Sequence, residues 1–355
     1  MADAEPAPAP SPDGIPLAVM ERIRKRGGSA TIYDIAELAG VSPSTVSRAL
    51  STPGRISQKT EARIRDAAAR LNFRANPMAR ALNTGRSHTI ALVVADITNP
   101  VVFGIVRGAE QAASAAGYTL VVAESQESDV AEAETIERLL PSVDGLILAT
   151  TRLGDDALAA VAARKPMVLI NRAVTGVDSI LPDVDHGVGQ LMTHLSGLGH
   201  RSIAYVSGPE TSWISGRRWE RMLEHAEGLG IALVEIGPVA PTIEGGRDAI
   251  RRVRAARVSA VVAFNDLIAI GLMQAAAESG VIVPRDLSVT GFDDIFGSEL
   301  VVPALTTVRS QLELAGRRAA DNVLAHLAAD PAAAVDGGLL QTELVIRAST
   351  GAASS

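Results

Sequence analysis

Two sets of polar residues in this sequence have types and spacings that could do chemistry. The first lies in TIYDIAELAGVSPSTVSRAL, Thr31 to Leu50, where Ser44, Thr45, Ser47 and Arg48 fall on one side of a helical pattern. The other side of that pattern holds Val46 and either Ala49 or Leu50. Short hydroxyls and one fork-shaped guanidinium near a helix start are what a helix entering a DNA major groove end-on can use. The second set closes successive apolar runs in the longer C-terminal part. It comprises Asp96 with Asn99, Asn171 with Arg172, the loop GPETSWISGRRW carrying Trp213 and Arg218, Asn265 with Asp266, and Asp293 with Asp294. Carboxylate and amide oxygens accept from hydroxyls while arginine donates, so this set suits a polyhydroxylated ligand. Trp213 or Trp219 could stack on a sugar face or pack between elements. Asp266 reads as the cap of the following helix, and Asp294 as a surface or turn residue.

The machinery of an enzyme is missing from the motifs. There is no cysteine, hence no thiolate nucleophile, disulfide or Cys-ligated zinc. The six histidines, His88, His186, His194, His200, His225 and His326, show no metal-ligand spacing. Gly187-Val188-Gly189 lacks the strand-turn-helix setting of a dinucleotide loop, and neither a G-x-S-x-G elbow nor a Walker motif occurs. Asp155-Asp156 and Asp293-Asp294 carry no mark of an acid/base couple. The expectation is a binding protein without catalysis, metal or cofactor.

The elements that must position these residues follow from the apolar spacing. Ile32, Ile35, Ala36, Leu38 and Ala39 repeat at helical intervals, Gly40 tolerates positive φ, and Ser42-Pro43 is a cap followed by proline at a first helical position. A third helix, Ser57 to Leu71, turns Ile64, Ala67, Ala68 and Leu71 inward and Lys59, Arg63, Arg65 and Arg70 outward. Next comes NPMARALNTGRS, Asn76 to Ser87, about two turns between Pro77 and Asn83-Thr84-Gly85. Isolated helices below roughly 12 to 15 residues are marginal in water. Beyond Ser87, the buried-strand runs TIALVVAD, TLVVAES, GLILAT and PMVLIN alternate with helical segments. A second series, SIAYVSGP, AVVAFND and LSVTGFDD, repeats the pattern. Two parallel doubly wound lobes result, and ligands of such sheets bind beyond the carboxyl ends of the strands.

At 355 residues and 47% hydrophobic content the chain can bury more than one core, so two or three domains are expected. The net charge of -7 conceals an asymmetry: Glu21 to Arg86 holds thirteen Arg/Lys against five Asp/Glu, a basic module attached to an acidic body. The absence of cysteine fits a reducing compartment. MADAEPAPAPSPDG has no basic n-region or apolar h-region and reads as a disordered tail, and no run reaches 18 apolar residues. Cytoplasmic localisation is expected. The segment MERIRKRGG, Met20 to Gly28, has arginines that either touch phosphates or are solvated.

From about Thr31 to Arg347 the chain resembles the lactose-repressor (LacI/GalR) family of bacterial transcription regulators. The motifs that carry this are TIYDIAELAGVSPSTVSRAL and ISQKTEARIRDAAARLNFRANPMARAL. The resemblance implies an N-terminal all-α helix-turn-helix headpiece with a hinge helix, plus an α/β two-lobed periplasmic-binding-protein-like body with parallel doubly wound sheets. The domains expected are a disordered, basic lead-in at 1–28, the headpiece at 29–75, the hinge at 76–87, the effector-binding and dimerisation body at 88–350, and a tail at 351–355. Lobe 1 would take 88–183 and 312–337, and lobe 2 would take 184–311 and 338–350. By the family's pattern Pro43, Ser44 and Arg48 read bases, Ser42, Thr45 and Ser47 hold phosphates, and Thr31 and Tyr33 also belong to the DNA-binding set. Asn76, Ala79 and Leu82 fall in a hinge that orders with its twin in the minor groove, where Leu82 wedges a base step. Ordering eight such residues costs on the order of 8 to 16 kcal/mol of backbone entropy, which DNA and the second copy must offset.

The same resemblance makes Asn171, Arg218, Asn265 and Asp293 effector contacts, with Asp96 as an addition. Where purine-responsive members place paired aromatics after NP, this chain has Val101-Val102, with Phe103 displaced, which favours a sugar or polyol over a flat base. The implied partners are a pseudo-palindromic double-stranded operator, a small carbohydrate-like effector and a second copy of the chain, with no membrane. The implied function is a repressor whose operator affinity the effector controls. A nucleoside-responsive regulator of the same family and a stand-alone sugar-binding protein are the alternatives. The chain ends in STGAASS without leucine heptads, so no C-terminal coiled coil is expected.

Overall fold

A computed structural model describes residues 15–51, 54–73, 85–329 and 338–353, and the chain divides into two compact units at Gly85 and Arg86. Among the described residues the first unit contains four helices, α1 (Leu17–Lys25), α2 (Ile32–Ala39), α3 (Pro43–Ser51) and α4 (Gln58–Arg70). Gly40, at φ 61°, ends α2 and lets the chain turn into α3, whose start is capped by Ser42 Oγ accepting from Thr45 N at 3.3 Å. Ser57 caps α4 in the same way through Thr60 N. Ile35, Val46 and Ile64, fully buried, join α2, α3 and α4.

The lead-in differs from expectation. Residues 17–25 are helical, and Ile15 and Val19 are buried in the same core with Ile23 packed against it. Apolar residues four apart give α1 an inner stripe that the charges of MERIRKRGG conceal. Residues 1–14 lie outside those described.

The second unit holds two sheets. The first joins β1 (Thr89–Val94), β2 (Thr119–Glu124), β3 (Gly145–Ala149), β4 (Met167–Ile170) and β5 (Asp178–Ile180) in the order β2-β1-β3-β4-β5, all parallel. The second joins β6 (Ser202–Val206), β7 (Ala232–Ile236), β8 (Ala260–Ala263), β9 (Ser288–Asp293), β10 (Thr306–Arg309) and β11 (Glu343–Val345) in the order β11-β10-β9-β8-β6-β7. Only β11 runs antiparallel, beside β10. Helices cover both sheets: α5 (Val101–Ala115), α6 (Asp129–Leu139) and α7 (Asp155–Ala162) belong to the first, and α8 (Val184–Gly197), α9 (Trp213–Leu229), α10 (Ile243–Ala256) and α11 (Asp266–Glu278) to the second.

Chain and lobe do not run in parallel. After β10 the chain returns to the first lobe as α12 (Leu312–Ala328), which packs along α5 and against β3, β4 and β5, before β11 completes the second sheet. Glycines let α5 and α12 touch backbone to backbone: a Cβ on Gly108 would lie 1.9 Å from Glu313 O, and one on Gly316 2.0 Å from Ile105 O. The expected tail is also pinned. Gly351 donates from its N to Ser288 Oγ at 3.0 Å, its carbonyl lies 3.0 Å from His200 Nε2, and Ala353 N donates to Leu198 O.

Candidate DNA-reading helix and effector cleft

On the first unit, α3 presents the residues expected of a reading helix. Ser42, Ser44 and Arg48 are exposed, Pro43, Thr45 and Ser47 half-buried, and Val46 and Ala49 fix the opposite side in the core. Ser42 Oγ lies 2.9 Å from Ser44 Oγ and 2.8 Å from Thr45 Oγ1, a hydroxyl chain at the positive end of the helix dipole. Among the described residues Arg48 makes no ion pair, so its guanidinium is available to a base edge or phosphate. Tyr33 is 68% exposed on the first turn of α2, beside Thr31. Asn76, Ala79 and Leu82 lie outside the described residues.

Asp34, unremarked in the sequence, anchors this surface. It is buried and accepts from Thr31 N at 2.8 Å, Thr31 Oγ1 at 2.7 Å and the Arg26 guanidinium at 2.8 and 2.9 Å. Burial pushes its pKa up, but the Thr31 and Arg26 hydrogen bonds outweigh that and hold it below the usual carboxylate value. Arg22 pairs with Glu37 and approaches Asp34 at 3.7 Å. Two of the lead-in arginines, though partly exposed to solvent, are engaged by acids of α2 and fasten α1 to it.

In the second unit the strand ends converge on one cleft between the lobes. Its walls include Asp96, Asn99, Glu127, Thr150, Arg152 and Asn171 from the first lobe, and Arg218, Phe264, Asn265 and Asp293 from the second. Asp96, Asn171, Arg218, Asn265 and Asp293 thus come together as expected. Trp213 does not: its indole packs against the core with the Arg217 guanidinium 5.9 Å above it. Trp219 stacks on Tyr205 at 5.9 Å, also away from the cleft. Val101 and Val102 line the cleft, whereas Phe103 is exposed.

Each lobe contributes one carboxylate–arginine pair. In the second lobe buried Arg218 donates to Phe264 O and to Asp293 Oδ1 at 3.3 Å, and its guanidinium stands 4.1 Å over the Phe292 ring and 5.3 Å over Phe264. Burial raises the Asp293 pKa against the lowering charge of Arg218. In the first lobe, buried Arg152 donates to Glu127 Oε2 at 2.7 Å and to Thr150 O at 2.9 Å. Arg152 and Glu127 escape a sequence reading because each lies three residues past its strand, in a turn that apolar periodicity does not register. The available signal was the polar ATTR ending of the third run.

Backbone geometry marks the same rim. Gln126, Glu127, Thr150, Asn171, Asp293 and Asp294 all have positive φ, between 53° and 106°, at or just past the ends of β2, β3, β4 and β9. Non-glycine residues in that region cost energy and concentrate at ligand sites.

Two sequence assignments are corrected. The cap of α11 is Asn265, whose Oδ1 accepts from Ile268 N at 2.9 Å while its Nδ2 donates to Pro241 O at 3.0 Å. Asp266 instead turns inward, fully buried, and accepts from Ser298 Oγ and Thr307 Oγ1, each at 2.6 Å, and from Ile295 N at 3.0 Å. Burial and the Asp293 charge push its pKa up to about 7 despite those hydrogen bonds. Asp294 is no surface residue: its side chain is 8% exposed and binds Arg309 and Arg347, both at 2.7 Å.

His200 bridges Ser259, Ser288 and Gly351, and its pKa is lowered chiefly by burial. Among the described residues no cluster of His and acidic side chains could hold a metal, and no helix is long and apolar enough to cross a membrane.

A helix-turn-helix unit ahead of two lobes that close on a polar cleft defines a DNA-binding regulator with a ligand-sensing body. Comparison with known proteins agrees: residues 31–76 match the bacterial regulatory proteins of the lacI family, and residues 192–350 match the periplasmic binding protein-like domain. The chain belongs to the LacI family of transcription regulators. The HTH-type transcriptional regulator GalR of Escherichia coli K12 is 32% identical over 306 residues, 83% of this chain and 89% of its own. The Lac repressor dimer, solved with operator and the anti-inducer ONPF, superposes with a TM-score of 0.83 at 29% identity, covering 91% of this chain and 100% of that one. A LacI family regulator from Enterococcus faecium, solved with bound ribose, has a TM-score of 0.65 at 26% identity, covering 75% and 100%.

Proposed function

We propose that the protein is a cytoplasmic, homodimeric repressor whose hold on a pseudo-palindromic operator is relieved by a small neutral carbohydrate bound between the lobes. The observation that carries the effector assignment is the pair of carboxylate–arginine couples, Glu127–Arg152 and Asp293–Arg218, on opposite walls of one cleft. A carboxylate accepts from one hydroxyl while the adjacent guanidinium donates to its neighbour, so each couple fits a vicinal diol. Because each arginine already faces a carboxylate, the cleft offers no unbalanced positive charge to a phosphate or sugar acid. The ribose-bound relative supports the same class of ligand, and Val101 and Val102 offer no aromatic sandwich for a base.

On DNA, Pro43, Ser44 and Arg48 would read bases, Ser42, Thr45 and Ser47 would hold phosphates, and Thr31 and Tyr33 would join the contact surface. Asn76, Ala79 and Leu82 would act as the minor-groove hinge, on the strength of the sequence resemblance. Dimerisation is supported by Phe296, Leu300 and Val302, which are 69%, 73% and 95% exposed within seven residues of the second lobe. Moving such a dimer from 99:1 to 1:99 between its DNA-bound and released forms needs about 5.5 kcal/mol of differential effector affinity, within reach of several buried hydrogen bonds.

The test has two stages. Thermal stabilisation is measured with neutral sugars, polyols, sugar acids, sugar phosphates and nucleosides, and each stabilising compound is then added to a duplex selected from a random pool by the full chain. A neutral sugar should both stabilise the protein and weaken its DNA binding. Asp293→Asn and Arg152→Met should each lose the sugar response at least tenfold while binding DNA normally. Stabilisation by nucleosides alone, or a sugar that leaves DNA affinity unchanged, would overturn the assignment. Leu82→Ala should weaken operator binding at least tenfold without altering sugar binding, and unchanged operator affinity would remove the wedge from the scheme.

A further inference from the structure

We propose that α1 is a second DNA-contacting element, adding phosphate contacts beside those of the helix-turn-helix and lengthening each half-site. The match to the lacI family model begins at residue 31, so α1 precedes the residues that model covers. This helix is nevertheless built into the headpiece, through Ile15 and Val19 in the core and through Arg22 and Arg26 on Asp34 and Glu37. It therefore occupies a fixed position on the DNA-binding unit.

That position adjoins the first turn of α2. Arg26 Nη1 donates to Thr31 Oγ1 at 3.1 Å, which places the last turn of α1 against a residue assigned to the DNA-binding set. Gly27 and Gly28, at φ 77° and 89°, fold the connection back so that the two ends meet.

Charge then selects the partner. Residues 17–28 carry four basic side chains against Glu21 alone. Arg22 and Arg26 are taken up by the acids of α2, while Arg24 and Lys25 are exposed and, among the described residues, make no ion pair. They sit two and one residues before Arg26, at the end of α1 that meets Thr31, and attraction for a phosphate bound beside that end acts over a Debye length of roughly 8 Å. Basic residues at a helix C-terminus also complement its dipole, a role that makes no demand on DNA.

This inference rests on the DNA-binding reading, and one experiment separates the two. Affinity of the full chain for its selected duplex is measured across a potassium chloride series, with Arg24→Gln/Lys25→Gln alongside. Each phosphate contact contributes about 0.9 to the slope of log K against log salt, so two residues in two copies should reduce the slope by about 3 to 4. Trimming base pairs from both ends of the duplex should cost the wild type affinity while leaving the variant unaffected. Thermal unfolding of the variant should match the wild type, because both residues are exposed. An unchanged slope with intact folding overturns the α1 contact and leaves the regulator reading standing; no salt-dependent DNA binding by the wild type overturns both.

Discussion

Asp266 is held by three hydrogen bonds in a site that excludes water, behind the wall that carries Asp293. With its pKa pushed up from 3.8 to about 7, the folded protein keeps a proton that the unfolded chain has already released. The stabilisation from this group is therefore fully present below about pH 4 and is lost as pH rises through 7. Buried His200 works with the opposite sign, because a lowered pKa removes stability as pH falls below its ordinary 6.5. Comparison with Asp266→Asn, neutral at every pH, isolates the carboxyl: between pH 5 and 8 the wild type should lose melting temperature relative to the variant. Parallel pH profiles would show that Asp266 is ionised throughout. The neighbouring Asn265 illustrates the limit of reading this rim from sequence. Both side chains of an Asn-Asp pair can cap a helix, and only the packing of Ser298 and Thr307 around the second decides which one does.

At the scale of elements, the α5–α12 pair depends on backbone contact at Gly108 and Gly316. Gly316→Ala puts a methyl group about 2.0 Å from Ile105 O, so the helices must separate. Overpacking of this kind costs on the order of 1 to 3 kcal/mol, and urea unfolding should show it as a lower midpoint with an unchanged headpiece. An unchanged midpoint would mean the pair has room to spare. Most elements were legible because long buried runs such as Ile90 to Val94 and Val261 to Ala263 leave little choice of conformation. The strands that went unread, β5, β7, β10 and β11, have three to five residues and partly exposed patterns, and tertiary pairing rather than local sequence makes them strands. Helix α1 escaped for a related reason: its stripe is narrow, and four basic side chains surround it. The strand-end rule found one wall of the cleft almost completely; on the other, Glu127 and Arg152 sit on turns whose course follows from the left-handed residues around them.

For the whole molecule, the proposed dimer face at the exposed Phe296, Leu300 and Val302 would tie assembly to DNA affinity. Phe296→Asp with Leu300→Asp should shift sedimentation from dimer toward monomer and weaken operator binding at least a hundredfold, while sugar binding in the cleft persists; a dimer of undiminished strength would place the interface elsewhere. The interleaving of the lobes has a consequence for synthesis. The first sheet is complete once Ile180 has been translated, yet α12, which covers it and fills the glycine groove of α5, ends only at Ala328. At about 5 to 20 residues per second a ribosome takes roughly 7 to 30 s to span that interval. Throughout it the nascent first lobe lacks the helix that covers this flank of its sheet, so an apolar surface stays open while the second lobe is being made.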